Sequence, residues 1–365
     1  MFRLAARAAS ALALASALAL TVTTPALADP PRQPAASDIA GVGAGVTETL
    51  FNQFSTDYNA SLAAAGDTTS PRLYSWDSTG TPSQIVTKAG ATPIVRPDRT
   101  DAGLAALNAT TSGTVDFVRA TRLPNANDLP GNLFVAFAKD AVSWAAPAGG
   151  NAPRNLSTHD LSNIYNCRVT NWKQIDPALP DATIVPVLAG RLFVDRWGVT
   201  GAPMESSEAL LKAIAYPPAG TDGSSDRSCV RVVERGDQGW DALLHDPNAI
   251  VPYSVGRFVG QVYGGHSRPG DDPVILTVRG IDGIDPVSSA DHALSLSFAN
   301  TPYGRVLFNV VREADWYSTS ATGGLRKVFG PSGWICKSPA AVAAIKSHGF
   351  RLLPYGGACG STLHR

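Results

Sequence analysis

The chain has 365 residues; 44% are apolar, only 16% are charged, and the net charge at neutral pH is zero. This length suits one large domain or two smaller ones. A net charge of zero argues against broad electrostatic binding to nucleic acid or to an anionic membrane surface. Nucleic acid is therefore not an expected partner.

The first residues have the pattern of an export signal. Arg3 and Arg7 precede a short apolar run from Ala8 to Val22, and Ala26-Leu27-Ala28 is a small-residue cleavage pattern. We expect cleavage after Ala28, so that residues 1–28 form a signal peptide. The apolar run is short for a membrane span, and no cysteine lies near the cleavage point. The sequence predicts a soluble protein, secreted or associated with the cell envelope, without a lipid anchor on cysteine.

Residues 29–37, which contain three prolines, are predicted to be a disordered lead-in. After them, strand-like and helix-like segments alternate. Strands are predicted at 39–42, 94–95, 115–118, 133–137, 184–188 and 249–253, and helices at 47–60, from 102, after a capping box at 157–160, and at 254–262. Such alternation is typical of an α/β architecture.

The glycine-rich turn from Gly41 to Thr47 is the first candidate binding element. A helix that begins at such a turn directs unpaired N–H groups and the positive end of its dipole outward. This arrangement binds anions, and the hydroxyl of Thr47 would be a further donor. The alternative is an ordinary helix cap after a glycine turn.

Two later turns have a similar character. Residues 96–103 form another strand-to-helix turn, with Thr100 and Asp101 as caps that could also face a ligand. Residues 116–122 follow an apolar strand and contain Arg119, Thr121 and Arg122. Arginine offers a planar fork that suits phosphate or carboxylate. The alternative is a surface pair that bridges acidic neighbours.

Four cysteines follow the signal peptide: Cys167, Cys229, Cys336 and Cys359. An even number in an exported chain predicts two disulfides, and three connectivities are possible. None of the pairs has the Cys-x-x-Cys spacing of redox or zinc sites. The chain also lacks a Gly-x-Ser-x-Gly elbow, a phosphate-binding Gly-Lys-Ser/Thr loop and a His-Glu-x-x-His motif. No catalytic residue, metal or cofactor is expected, and a secreted phosphatase is the weakest hypothesis.

In the order and spacing of its segments the chain resembles PstS-type phosphate-binding proteins, in particular the secreted actinobacterial form. The resemblance extends from about Asp38 to Thr362. The segments that support it are 38–43, 96–97 with 102–104, 115–122, 134–144, 161–165 with 170–172, 250–255 and 305–311.

The resemblance implies a two-lobed type II periplasmic-binding-protein fold, an α/β fold with two hinge crossovers near residues 134–137 and 251–254. Lobe one would contain residues 38–137 and 254–365, and lobe two residues 138–253. The implied disulfides are Cys167–Cys229 and Cys336–Cys359.

The resemblance further implies a monomeric, non-enzymatic solute-binding protein that takes phosphate or another small anion and serves an ABC permease. Carried over by position, its ligand residues are Thr47, Thr100, Arg119, Thr121, Arg122 and, in lobe two, Arg191. Relatives have a Ser-Gly-Thr cradle where this chain has Ala189-Gly190-Arg191. The alternative is therefore a divergent secreted binding or interaction protein that has lost the phosphate site.

Overall fold

The structure, a computed structural model, describes residues 29–109, 113–190, 204–215, 228–268, 270–318, 324–353 and 358–364. The strands are β1 (Ile39–Gly43), β2 (Leu73–Ser75), β3 (Gln84–Ile85), β4 (Ile94–Val95), β5 (Phe117–Ala120), β6 (Asn132–Pro147), β7 (Asn155–Leu156), β8 (Val185–Ala189), β9 (Arg231–Val233), β10 (Ala249–Ser254), β11 (Leu276–Ile281), β12 (Gly304–Arg312), β13 (Arg351–Leu352) and β14 (Thr362–His364).

The α-helices are α1 (Glu48–Ala64), α2 (Thr100–Asn108), α3 (Thr158–Tyr165), α4 (Glu205–Ala213), α5 (Val255–Val262), α6 (Leu296–Ala299), α7 (Glu313–Tyr317), α8 (Gly324–Phe329), α9 (Trp334–Lys337) and α10 (Pro339–Ser347). In the described ranges, no helix combines the length and the apolar character that crossing a bilayer requires. The mixture of strands and helices confirms the predicted α/β class.

The main sheet has the strand order β2-β1-β5-β12-β6-β10-β8-β9. At one end β2, β1 and β5 are parallel, and at the other end β10, β8 and β9 are parallel. Between these two groups, β12 is antiparallel to β5 and β6, and β10 is antiparallel to β6. At each end of the sheet, the carboxyl ends of the parallel strands therefore lie together at one edge.

Strand β6 connects the two ends because it is 16 residues long and is buried along nearly all of its length. A strand covered on both faces has a near-continuous apolar sequence rather than an alternating one. The first half of β6 contributes Leu133, Val135 and Phe137 to one hydrophobic core. The second half contributes Val142 and Trp144 to another.

The two cores define two lobes, which confirms the predicted two-lobed fold. The first lobe is built around α1, β1 and β5, and the second around β8, β10 and α5. Helix α1 belongs to the first because Leu50, Phe51, Phe54 and Tyr58 recur at helical spacing and are buried, as its sequence predicts. The second includes α3, which begins at the predicted capping box between Ser157 and Asp160.

The return crossing between the lobes differs from the prediction at residues 251–254. Leu276, Phe298 and Tyr303 still pack in the second core, whereas Leu307 of β12 packs in the first. Core membership therefore favours a return in β12. The physical reason is that apolar side chains beyond Ser254 are buried against the second lobe. The remaining lobe boundaries stay a prediction.

Residues 29–37 are docked on the first lobe rather than forming the predicted disordered lead-in. The guanidinium of Arg32 donates to the hydroxyl of Tyr74 at 2.7 Å, and the amide of Ala89 donates to the carbonyl of Pro34 at 2.8 Å. Asp29 forms an ion pair with the buried Arg96 at 2.6 Å. The prolines gave no sign of these contacts, which come from residues far along the chain.

Two disulfides join Cys167 to Cys229 and Cys336 to Cys359. This is the pairing that the family resemblance implies. The first bond tethers the end of α3 to the segment before β9, and the second joins α9 to the segment before β14. Each bond therefore closes a loop within the lobe that its partners pack against.

Candidate functional site

The carboxyl ends of the parallel strands of both lobes meet at one place. In α/β proteins, ligands bind beyond such strand ends, because the loops there are free to present polar groups. In the first lobe, the loops after β1, β2 and β5 begin at Gly43, Ser75 and Ala120. In the second, the segment after β9 contains Arg235, which reaches the first lobe. This meeting place is the candidate site.

A cavity of about 20 Å³ lies between the lobes. A single water molecule needs roughly 10–15 Å³ measured in this way. The cavity therefore holds about one water and no tetrahedral oxyanion in this conformation. Its lining residues are Ser78, Thr79, Asp98, Arg99, Met204, Glu234 and Arg235.

Arg235 spans the boundary between the lobes. Its Nη1 donates to Thr79 Oγ1 at 2.9 Å, its Nε donates to Asp237 at 3.2 Å, and its Nη2 lies 3.7 Å from Glu48 Oε1. Burial opposes its charge, but Asp237 and Glu48 outweigh burial and raise the pKa of Arg235 above its ordinary value. A permanent positive charge is therefore buried at the interface.

Glu48, the first residue of α1, lies fully buried beside three arginines. Its Oε2 accepts from the amide of Ser78 at 3.1 Å and from the Ser78 hydroxyl at 2.8 Å, and it pairs with Arg268. Burial favours the neutral acid, yet the charges of Arg268, Arg235 and Arg257 together lower the pKa of Glu48 below its ordinary value. A carboxylate of the chain itself thus neutralises these arginines, next to the turn where an anion was expected.

Asp77 is the group at the site that titrates near neutrality. Burial, and next the negative charge of Glu48, raise the pKa of Asp77 to about 7, against the opposing effect of Arg268. Its Oδ1 accepts from the side-chain amide of Asn52 at 2.8 Å. The charge of the site therefore depends on pH in the neutral range.

The N-terminus of α2, the second predicted anion position, is also filled from within the chain. The backbone N–H of Thr100 donates to Glu205 Oε1 at 2.8 Å, and the Thr100 hydroxyl donates to the same oxygen. Glu205 begins α4 in the second lobe. Burial raises its pKa, and the hydrogen bonds from Thr100 oppose that rise. The contact between Thr100 and Glu205 therefore joins the two lobes, and the Glu205 carboxylate occupies donors of a kind that also bind anions.

The other predicted ligand residues of the first lobe are close to this contact but are engaged. Thr121 is buried, and its amide donates to Thr100 Oγ1 at 3.2 Å. Arg122 forms ion pairs with Asp101 and Asp128, each at 2.6 Å. Its environment therefore matches the alternative interpretation of an arginine that bridges acidic neighbours.

Arg119 is buried completely and holds loops together. Its Nε donates to the carbonyl of Ala44 at 3.0 Å, and its Nη2 to that of Gly43 at 2.9 Å. Its Nη1 donates to the carbonyl of Trp76 at 2.9 Å and to the hydroxyl of Ser75. Burial lowers the pKa of Arg119. The sequence predicted this arginine close to the right strand end, but its donors are directed at backbone carbonyls and at the hydroxyl of Ser75.

Thr47 is buried, with 1% of its surface exposed, and its hydroxyl has no hydrogen-bond partner among the described atoms. An unpaired buried hydroxyl is unusual, because burial without a partner costs free energy. Arg191, the predicted ligand of the second lobe, lies outside the described residues. Gly190 beside it is hydrogen-bonded to the carbonyl of Val233 at 2.9 Å.

Sequence reasoning missed Ser78, Thr79 and Arg235. The first two carried a usable signal, because Ser78-Thr79-Gly80 follows a short strand just as Thr47 and Thr121 do. Arg235 carried none, since it is one of many arginines and no motif surrounds it. Its contact with Thr79 joins residues that are 156 positions apart in the sequence, so only the folded chain brings them together.

Comparison with known proteins supports the same architecture. Residues 31–191 match the family model described as the PBP superfamily domain, and no curated protein matches the chain. An ABC-type phosphate transport receptor from Vibrio cholerae is similar, with a TM-score of 0.54 and 15% identity over 87% of this chain and 100% of that one. A putative phosphate ABC transporter substrate-binding protein with bound phosphate, from Clostridium perfringens, has a TM-score of 0.52 and 13% identity over the same shares.

These matches confirm that the chain resembles phosphate-binding proteins in its two-lobed fold. At such low identity, similarity to the solved structures supports the fold alone.

Proposed function

We propose that the protein is an exported, non-enzymatic solute-binding protein that captures a small anion between its two lobes. The observation that supports this most directly is Arg235 of the second lobe, whose charge is buried 2.9 Å from the hydroxyl of Thr79 in the first. A buried cation beside hydroxyl groups, at facing carboxyl ends of parallel strands, suits an oxyanion such as phosphate.

The proposed ligand set has three parts. Arg235 supplies charge, Ser78 and Thr79 supply hydroxyls at the cavity wall, and Thr47 supplies a buried hydroxyl that has no partner among the described atoms. Thr100 and Thr121 join this set when Glu205 leaves the N-terminus of α2, and Arg122 joins it by exchanging its ion pair with the exposed Asp101 for the anion. Arg191, which lies outside the described residues, is the proposed donor from the second lobe, and Arg119 fixes the loop after β1.

Ligand entry requires the lobes to separate. The cavity of about 20 Å³ is too small for phosphate, and the carboxylate of Glu205 occupies the N-terminus of α2. A hinge motion through β6 would withdraw Glu205 from Thr100, because these residues belong to different lobes. The anion would then stabilise a closed state in which it replaces the carboxylate.

Localisation and partners follow from this proposal. Two disulfides fit an oxidising compartment outside the cytoplasm, which agrees with the predicted signal peptide. We place the protein at the cell envelope or in the medium, as a monomer that delivers its solute to an ABC permease.

Calorimetry of the purified protein with phosphate, sulfate and a panel of small organic acids tests the proposal. We expect one anion to bind, and Arg235→Met to weaken it by roughly 100-fold, the equivalent of one buried charge-assisted contact. Arg231→Met is the matched control, because Arg231 lies four residues earlier in β9 and is exposed. No heat with any of these anions would reject anion capture.

One observation favours a second candidate, a secreted binding or interaction protein that has lost its phosphate site. Glu205 fills the N-terminus of α2, and the acceptors of Arg119 among the described residues all belong to its own lobe. Replacing Ala189-Gly190-Arg191 by Ser-Gly-Thr should then create phosphate affinity. Tight phosphate binding by the unaltered protein would exclude this candidate.

A further inference from the structure

We infer that Asp29 and Arg96 are positioning residues for the candidate site: together they fix the shape of the loop from Asp77 to Pro82, which presents Ser78 and Thr79 to the cavity. That the pair matters for ligand binding rests on the proposed function. That the pair fixes the loop rests only on contacts among described residues.

The loop is wrapped around the guanidinium of Arg96. Nη1 of Arg96 donates to the carbonyl of Asp77 at 3.1 Å, where the loop begins. Nη2 and Nε donate to the carbonyl of Pro82, at 3.1 and 3.3 Å, where the loop ends. The backbone between them passes over the guanidinium at Gly80, whose φ of +138° is one that residues with side chains rarely adopt. One side chain therefore holds both ends of the loop.

Asp29 neutralises and orients this guanidinium. Its two carboxylate oxygens accept from Nη1 and Nη2 of Arg96 at 2.6 and 2.8 Å, which is the bidentate geometry that combines strength with a fixed direction. The Arg96 side chain is only 4% exposed, so its charge is costly without a partner. The carboxylate also lies 3.3 Å from the amide nitrogen of Asp77, which donates to it. Asp29 thus acts on the loop both directly and through Arg96.

The apex of the loop makes the contacts on which the site depends. The amide of Ser78 donates to Glu48 at 3.1 Å, and the hydroxyl of Thr79 accepts from Arg235 at 2.9 Å and from Arg268 at 2.6 Å. A shift of the loop by an ångström would break these hydrogen bonds, which tolerate little change in length. The Asp29–Arg96 pair therefore determines where the hydroxyl donors face.

Asp29 is also the first residue after the predicted cleavage point. The first residue of the exported chain is then part of the scaffold of the site, and trimming the exported chain by one residue would remove the carboxylate. This gives the docked 29–37 segment a role beyond covering the first lobe.

The test uses the exported protein with Asp29→Ala or Arg96→Lys, its N-terminus verified by intact mass. Hydrogen exchange of the Ser78 amide is the readout, because that amide bonds to Glu48 and to neither altered residue. We expect it to exchange at least ~10-fold faster in both variants, with Val310 in β12 unchanged. The matched control is Arg312→Lys, another arginine that bonds to a carboxylate and a carbonyl, those of Asp315 and Leu107.

An unchanged Ser78 amide in both variants would overturn the inference. So would equal acceleration at Ser78 and Val310, since that indicates general destabilisation. Phosphate is the ligand probe: if the unaltered protein binds it, equal affinity in Arg96→Lys overturns the positioning role. If the unaltered protein does not bind phosphate, the exchange rates alone decide whether the pair fixes the loop, and the calorimetric anion panel decides separately on anion capture.

Discussion

Replacing Glu205 by Gln should strengthen anion binding at neutral pH. The carboxylate of Glu205 occupies the N–H and hydroxyl of Thr100 at the N-terminus of α2, so an incoming anion has to displace it. The amide of Gln keeps an acceptor for both donors but has no charge. The variant therefore keeps the contact between the lobes and removes only the electrostatic competition.

The size of the effect follows from the geometry. A displaced side chain stays on the first residue of α4, so its carboxylate remains within roughly 8 Å of the bound anion. At that distance and an effective dielectric constant of ~20, two like charges repel by about 2 kcal/mol per unit of anion charge. This corresponds to a roughly 30-fold loss of affinity for a singly charged anion and roughly 1,000-fold for sulfate, which carries two charges. The Gln variant should recover this loss.

The pH dependence identifies the cause. Burial raises the pKa of Glu205, so the unaltered protein should approach the variant as the pH falls and the carboxyl becomes neutral. A group with a raised pKa in the folded state contributes stability below its unfolded pKa and loses it as the pH rises through the folded pKa. The Gln variant should therefore be at least as stable as the unaltered protein at neutral pH.

Calorimetric titration with sulfate, whose charge is constant over this range, measures the affinity ratio at each pH. Glu208→Gln is the control, because Glu208 is an exposed acid in the first turn of the same helix. Equal sulfate affinities of Glu205→Gln and the unaltered protein at neutral pH would refute the competition argument. A ratio that does not change with pH would show that another effect is responsible.

Three further predictions concern stability. Asp77→Asn should raise the melting temperature above pH 7 but not at pH 4. The pKa of Asp77 is raised to about 7 in the folded protein, so the stability that its neutral carboxyl contributes is present below the unfolded pKa and is lost as the pH rises through 7. A difference in melting temperature that stays constant across that pH range would contradict this prediction. Arg119→Lys should lower the unfolding free energy by about 3 kcal/mol, because buried carbonyls lose their donors, and urea unfolding measures it. Loss of the Cys167–Cys229 bond should lower the free energy of unfolding by about 4 kcal/mol, and loss of the Cys336–Cys359 bond by about 3 kcal/mol. The first bond closes the longer loop, 62 against 23 residues, and so removes more entropy from the unfolded chain. A larger loss for the second bond would count against this loop-entropy model.

Local sequence signals predicted the elements well. The glycine turn before α1, the helical spacing of its apolar residues and the Ser157–Asp160 capping box depend on neighbours within a few positions. The order and spacing of these segments support the resemblance to PstS-type phosphate-binding proteins, and that resemblance implied the two-lobed fold. It also placed Thr47 beyond the end of the parallel strand β1 and Arg119 close to the carboxyl end of the parallel strand β5, which is a property of topology.

The chain by itself therefore determined the elements, the fold class and the polar strand ends. Only the tertiary structure decided what these strand ends contact. Glu205 reaches Thr100 across 105 residues of sequence, and Arg235 reaches Thr79 across 156. No local pattern encodes such pairs, because burial and charge neutralisation select them after the lobes have formed. For the same reason the sequence predicted an open anion site, whereas in the folded protein Glu205 fills the N-terminus of α2 and Glu48 neutralises the buried arginines.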